Sequence, residues 1–177
     1  PTPYECDALI TNQTGRPLIA YAADCIPILL CALNSQGRPC AVAAVHAGWR
    51  GTQADIAAKT VRRLQQEYQI EPNRCLAAIG PGIGGCCFST HADVPQAMRQ
   101  AFGAGVEEFI KNDETAGEPG KFLVDLKAIN AWRLQQAGLP NSSIAISPEC
   151  TCCLPEKYWS HRFTRGERGG QAAVISL

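Results

Sequence analysis

The stretch "RPLIAYAADCIPILLCALNSQGRPCAVAAVH", Arg16 to His46, decides the fold class. It reads as three consecutive short apolar segments, punctuated by Asp24, Pro27 and the turn Asn34-Ser35-Gln36-Gly37. Continuous apolar runs of this length suit strands buried on both faces of an interior sheet. A polar, Gly-containing turn before Arg38 suits a hairpin joining the second run to the third. Hairpin links imply a mixed rather than a purely parallel sheet.

Outward from this core, Thr52 and Asp55 form a Thr-x-x-Asp pattern resembling a capping box. Ile56, Thr60, Val61, Leu64 and Tyr68 then recur at helical spacing. The spacing predicts a helix of about three to four turns, with Lys59, Arg62 and Arg63 on its solvated side. "CLAAIG", Cys75 to Gly80, is a further buried strand and runs into the Gly-rich "PGIGGCC". A helix is expected from Val94 to Phe102 and a polar surface loop from Lys111 to Lys121. Another helix is expected over "DLKAINAWRLQQAG", with Asp125 as N-cap and Gly138 as the residue after the C-cap. "SIAIS" and "QAAVISL" close the chain as strands, separated by an irregular segment from Pro148 to Gly170. The expected fold class is α+β, a mixed β-sheet flanked by helices, in a single domain spanning 1–177 without internal repeats.

With 177 residues, 46% hydrophobic and 18% charged, the chain can bury one substantial core. Sixteen basic residues balance sixteen acidic ones, so charge gives no case for nucleic acid or an anionic membrane as the main partner. Small-molecule chemistry is the default. The apolar runs are short and broken, and nothing resembles a signal peptide, which makes a cytoplasmic location the expectation. Ten cysteines in a chain of this size then read as free thiols rather than a secreted disulfide scaffold. The oligomeric state leaves no mark on the sequence.

Cys25 and His46 each fall at the end of a strand candidate, where a rigid sheet presents reactive groups. Thiolate and imidazole are both zinc ligands, and an open catalytic zinc site uses three protein ligands. A buried small thiol and a satisfied histidine are the plain alternative. The surroundings of His46 favour a site. Gly48 and Gly51 permit a bend and close approach, Trp49 offers a flat face, and Arg50 is a planar donor for phosphate or carboxylate. A helix start just beyond adds to the anion-friendly character, and the plain alternative is that Trp49 is core and Arg50 a surface cation. "GPGIGG", Gly80 to Gly85, fits Gly-x-Gly-x-x-Gly but is followed by Cys86-Cys87-Phe88 rather than a helix, so it is read either as a tight loop whose Gly82 and Gly84 bare the backbone to a ligand or as a plain structural turn. Cys150-Thr151-Cys152-Cys153 contains a C-x-x-C spacing, yet Cys86-Cys87 does not. The expectation there is ordinary buried or loop thiols rather than a closed four-cysteine zinc site. Arg162, Arg165 and Arg168, near His161, read first as a solvated loop and second as an anion clamp. His91 is the remaining histidine.

"AADCIPILL", "VHAGWRGT" and "AIGPGIGGCCF", in this order and at these separations, resemble the YfiH family, long labelled a multicopper polyphenol oxidase or laccase domain. The likeness runs from "CDALIT" at Cys6 to "SHR" at Ser160. It implies the mixed-sheet fold shared with deamidating bacterial toxins. It also implies a zinc-dependent purine nucleoside phosphorylase acting on adenosine, inosine and methylthioadenosine, with adenosine deaminase activity, so that nucleoside and phosphate are the small-molecule partners. The resemblance assigns metal ligation to Cys25 and His46. Taken with the reading of the residues themselves, catalysis is expected of these two with Arg50, and substrate or phosphate binding of Arg50, Gly82, Gly84 and Arg162. The family's remaining metal-ligating His lies in a "VHG" segment upstream of Pro1, as does its "TR-x-GG" segment. The chain is therefore expected to be the larger C-terminal part of such a protein. Where the family tends to read Ser-Tyr-Arg-Arg, this chain has Ser160-His161-Arg162-Phe163.

Rival readings remain. A copper-dependent polyphenol oxidase would need a histidine-rich centre, and the chain has three His. A metal-free hydrolase or deamidase would use Cys25 as nucleophile and His46 as its base. A cell-wall precursor editing factor would bind a muropeptide rather than a nucleoside.

Overall fold

The computed structural model describes residues 5–177. Its centre is a five-stranded sheet in the order β1-β4-β3-β5-β9. The strands are β1 (Ala8–Thr11), β3 (Ile26–Leu33), β4 (Pro39–Ala47), β5 (Cys75–Ile79) and β9 (Ile144–Ile146), with β2 (Leu18–Ala22) lying outside this sheet. All neighbours are antiparallel except β5 and β9, which run parallel, so the sheet is mixed as expected. The hairpin between β3 and β4 turns at Asn34, whose Oδ1 accepts the backbone N–H groups of Gln36 and Arg38 at 2.9 and 3.0 Å. Gly37 supplies the left-handed step at φ +75°.

The continuous apolar run of β4 has a simple cause. Ala41, Val42, Ala43, Ala44 and Val45 are all buried, because both faces of the strand are covered. On one face Ala43, Val45, Ile28 and Leu30 pack with Val61 and Leu64 of α2 (Ile56–Tyr68) and with Ile129 and Leu134 of α4 (Leu126–Gln136). On the other face Val42 and Ala44 pack with Leu18 and Ala20 of β2, which pairs antiparallel with β10 (Gln171–Ile175). A helical layer and a two-stranded ribbon thus sandwich the sheet.

Local chemistry fixes the helix ends. Asp125 accepts the Ala128 N–H at 3.0 Å as N-cap of α4. At the other end Gly138 and Leu139 donate to Gln135 and Leu134, the two hydrogen bonds of a Schellman motif, with Gly138 at φ +101°. The helix expected to start at Thr52 is built differently. A short α1 (Trp49–Gln53) precedes α2, and Asp55 sits between them in the left-handed region at φ 60° with no capping bond from its side chain. The Asp55 carboxylate is drawn instead to the Arg133 fork at 2.9 and 3.1 Å. Thr52 is buried and its hydroxyl accepts from Asn130 at 2.9 Å. Tertiary partners for both residues outcompete the local cap.

The polar segment expected as a surface loop is one from Asp113 to Lys121, and it closes a hairpin in which β7 (Ile110–Asn112) pairs with β8 (Phe122–Val124), with β6 (Ser89–Thr90) joining them in a small third sheet. The irregular segment after Pro148 contains the single-turn α5 (His161–Thr164), capped by Ser160, which accepts the Phe163 N–H at 3.1 Å. The remaining helix, α3 (Asp93–Phe102), covers the region expected. All ten cysteines are free thiols. Among the described residues no helix is long and apolar enough to cross a membrane.

Candidate functional site

Antiparallel pairing of β3 with β4 sets Pro27 opposite His46 and Ile26 opposite Ala47. Cys25, one residue before β3, is therefore carried to the same end of the sheet as His46. Gly48 lies between them. A Cβ there would stand 3.1 Å from the Cys25 sulfur and 3.9 Å from His46 Cε1, so a side chain at this position would crowd the pair. His46 donates from Nδ1 to Asp7 Oδ1 at 2.9 Å, while its backbone N–H donates to the Asp7 carbonyl at 2.8 Å. Asp7 thus orients the ring and leaves Nε2 for another partner. The imidazole pKa is pushed up to about 9, first by interaction with Cys25 and then by Asp7, against the opposing effect of burial.

Cys25 borders a cavity of about 330 Å³ together with Trp49, Ile83, Phe88, Leu126 and Arg162. Trp49, Phe88 and Arg162 also line an adjoining cleft of about 520 Å³ that reaches His91 and Lys121. A third space joins Cys25 and His46 to Arg168, which also lines the first cavity. Cys25 and His46 therefore stand at the junction of a run of open space with aromatic walls and cationic edges.

The buried residue that organises this end is Asp24. It adopts φ 81°, unusual for a side chain other than glycine, and three segments converge on it. Its Oδ1 accepts from the Thr151 hydroxyl and its Oδ2 from the Arg162 backbone N–H, both at 2.6 Å, while its carbonyl accepts from Ile83 N–H at 2.8 Å. Neither Asp24 nor Asp7 stands out in the sequence as a site residue. Asp24 reads there as a strand breaker, and the signal it did offer was its place directly before Cys25.

The other sequence candidates fall in distinct places. Arg162 lies against the cavity, donating from Nη1 to the carbonyls of Cys87 and Ser89 at 3.1 and 2.9 Å, with its guanidinium over the Phe88 ring. Arg162 is exposed, as are Arg165 and Arg168, in keeping with a solvated segment, while its two carbonyl bonds hold the guanidinium at the cavity edge. Arg50 is exposed and stacks on Trp49 with 4.2 Å from Cζ to the ring centroid, lining neither cavity that shares Trp49. Gly82 is buried beneath the strand end, where a Cβ would come within 2.5 Å of Ile26 Cδ1 and 3.1 Å of the Asp24 carbonyl. Gly84 is buried beside the sulfurs of Cys86 and Cys150. Those two cysteines, with Cys87 and Cys153, bring four sulfurs within 4.8 Å of one another and could hold a metal ion. The expectation of ordinary loop thiols did not foresee this gathering.

The sequence profile of the multi-copper polyphenol oxidoreductase laccase family matches residues 2–177. The chain is 37% identical over 169 residues to purine nucleoside phosphorylase YlmD of Geobacillus stearothermophilus, covering 96% of this chain and 59% of that protein. It is 35% identical over 158 residues to adenosine deaminase RL5 from an unknown prokaryotic organism, covering 88% of this chain and 56% of that one. In structure it is similar to the hypothetical protein YfiH of Bacillus licheniformis, with a TM-score of 0.87 at 30% identity over 97% of this chain and 61% of the other. It thus spans less than two thirds of the length of each of these relatives.

Proposed function

The chain belongs to the multi-copper polyphenol oxidoreductase laccase family, and we propose that it carries most of the active site of a zinc-dependent purine nucleoside phosphorylase that also deaminates adenosine. The observation that carries this reading is the Asp7–His46–Cys25 constellation, whose Cys25 borders an aromatic-walled cavity that Arg162 also lines. The names of the relatives supply the reaction classes.

The donor set fits zinc. Cys25 and His46 offer sulfur and nitrogen, and a carboxylate on the far nitrogen of the imidazole is the usual outer partner of a zinc-bound histidine. They make two of the three protein ligands of an open site, with the third assigned to the part of the relatives' length that this chain does not span. Zinc bound there supplies Lewis acidity toward an oxygen ligand. The chain's own residues do the rest. Trp49 and Phe88 present flat faces to a purine, and Arg162 keeps free N–H donors for phosphate after serving the two carbonyls. Arg50, held on the Trp49 face, is the second candidate for phosphate. Gly82 and Gly84 keep the loop wall close to the strand end. Multicopper chemistry is less well served, because His46, His91 and His161 border different spaces and form no shared group among the described residues.

The raised imidazole pKa favours one second reading, a metal-free Cys25–His46 nucleophile pair. Zinc analysis and activity assays on a form extended upstream to the length of its relatives separate the two. The zinc reading expects Cys25→Ala and His46→Ala each to remove one equivalent of zinc and the turnover with it. Activity that survives chelation and stops only on alkylation of Cys25 would replace it with the nucleophile pair.

A further inference from the structure

Of the cysteines that the proposed reaction does not use, four gather in one place. Cys86 and Cys87 lie on the turn after Gly84, and Cys150 and Cys153 form the C-x-x-C of a second turn. The turns are tied together by a bridge between Gly82 and Cys150 and by a hydrogen bond from Thr151 N–H to the Gly82 carbonyl at 3.1 Å. Cys153 Sγ lies 3.7 Å from Cys86 Sγ and 3.4 Å from Cys87 Sγ, and all four sulfurs fall within 4.8 Å of one another. Four sulfurs at about 2.3 Å from a tetrahedral zinc stand roughly 3.8 Å apart, so the group is already close to the spacing the ion imposes. A disulfide would require two sulfurs to close to about 2.05 Å and would leave two behind.

From this geometry we propose that Cys86, Cys87, Cys150 and Cys153 form a closed structural zinc site, separate from the Cys25–His46 centre. All four ligands are thiolates, a set that selects zinc or iron among common metals and leaves no open position for substrate. The surroundings suit a group of net negative charge. The Gly84 N–H donates to Cys150 Sγ at 3.2 Å, an outer hydrogen bond of the kind that orients a metal-bound sulfur, and the Arg162 guanidinium sits on the Cys87 carbonyl. A side chain at Gly84 would crowd this arrangement, since a Cβ there would stand 3.0 Å from Cys86 Sγ and 3.3 Å from Cys150 Cβ.

The position gives the site its role. One turn carries Ile83 and Phe88 to the cavity wall, and the other carries Thr151 to Asp24. Zinc across them would staple the cavity wall to the residue that precedes Cys25. Metal binding here would then favour the closed, folded arrangement of both turns.

The test uses this chain as it stands, because all four ligands lie within it. Purified without chelator, it is expected to hold about one zinc per chain, and that zinc is expected to remain in a Cys25→Ala/His46→Ala double variant. Cobalt titrated into the same double variant is expected to give the thiolate charge-transfer bands and intense visible absorption of tetrahedral cobalt. Cys86→Ser/Cys153→Ser is expected to lose the zinc and unfold at lower temperature. The cobalt spectrum keeps the idea open to refutation even if that variant does not fold. Absence of zinc with no cobalt–thiolate spectrum, a disulfide among the four cysteines in the freshly purified protein, or iron in place of zinc would each overturn the assignment. Loss of zinc only on changing Cys25 or His46 would overturn it too, while leaving the proposed catalytic site intact.

Discussion

Two cysteine-bearing centres lie at one end of this molecule, and they were assembled in different ways. Cys25 and His46 come together because strand register puts them there: one hairpin, closed by the Asn34–Gly37 turn, fixes both. Cys86, Cys87, Cys150 and Cys153 come together because two loops meet, with Cys87 and Cys153 separated by 66 residues. The first centre is held by a ladder of backbone hydrogen bonds and opens onto cavities, whereas the second closes on itself. A register-built site can be exact without metal, but a loop-built one gains most from a cross-link, since closing long loops is where a clip offsets the most chain entropy.

Asp24 connects the two, so its replacement should have the largest effect. Asp24→Ala removes both carboxylate oxygens and leaves the Thr151 hydroxyl and the Arg162 N–H, which both donate to them, without that acceptor. Two donors deprived of their acceptor beside this buried position should cost about 1.5–3 kcal/mol, read as a lower urea midpoint with unchanged slope. Unaltered stability would mean that the two centres are not coupled through this residue. Asp7→Asn should act on one centre alone. Loss of the carboxylate behind His46 is expected to weaken zinc at Cys25–His46 by roughly 10–100-fold, measured by competition with a chromophoric chelator, and to leave the four-thiol site unchanged. An equal loss at both would erase the distinction between them. The smallest effect is expected at Arg63→Ala, which removes an exposed i,i+4 pair with Glu67 at 2.8 Å on the solvated side of α2. Its unfolding midpoint should shift by no more than about 0.5 kcal/mol equivalent, and a larger change would show that this face is not merely solvated.

The same contrast explains what could be read in advance. The buried strands, the Asn34–Gly37 hairpin, and the caps of α4 at Asp125 and Gly138 depend on local chemistry, and local chemistry is written in short stretches of sequence. Cys25 and His46 were legible for that reason, each standing at the end of an apolar run. The Thr52–Asp55 cap was misleading because Asn130 and Arg133, far along the chain, claim those side chains. Asp7 and Asp24 were not recognisable as site residues, since their importance lies in partners on other segments. The adjacent Cys86-Cys87 lacks metal-site spacing, and only the fold shows that a turn aims both side chains at the C-x-x-C loop.

The central claim is that the cavity beside Cys25 and His46 binds a purine nucleoside with phosphate and cleaves the glycosidic bond. The most direct measurement is product analysis after incubating zinc-loaded protein, extended upstream to the length of its relatives, with adenosine in the presence and absence of phosphate. The account predicts free adenine only when phosphate is present, inosine without phosphate and inosine with its cleavage product hypoxanthine when phosphate is added, and none of these from the His46→Ala form. Adenine release that ignores phosphate, or products that persist without His46, would contradict it.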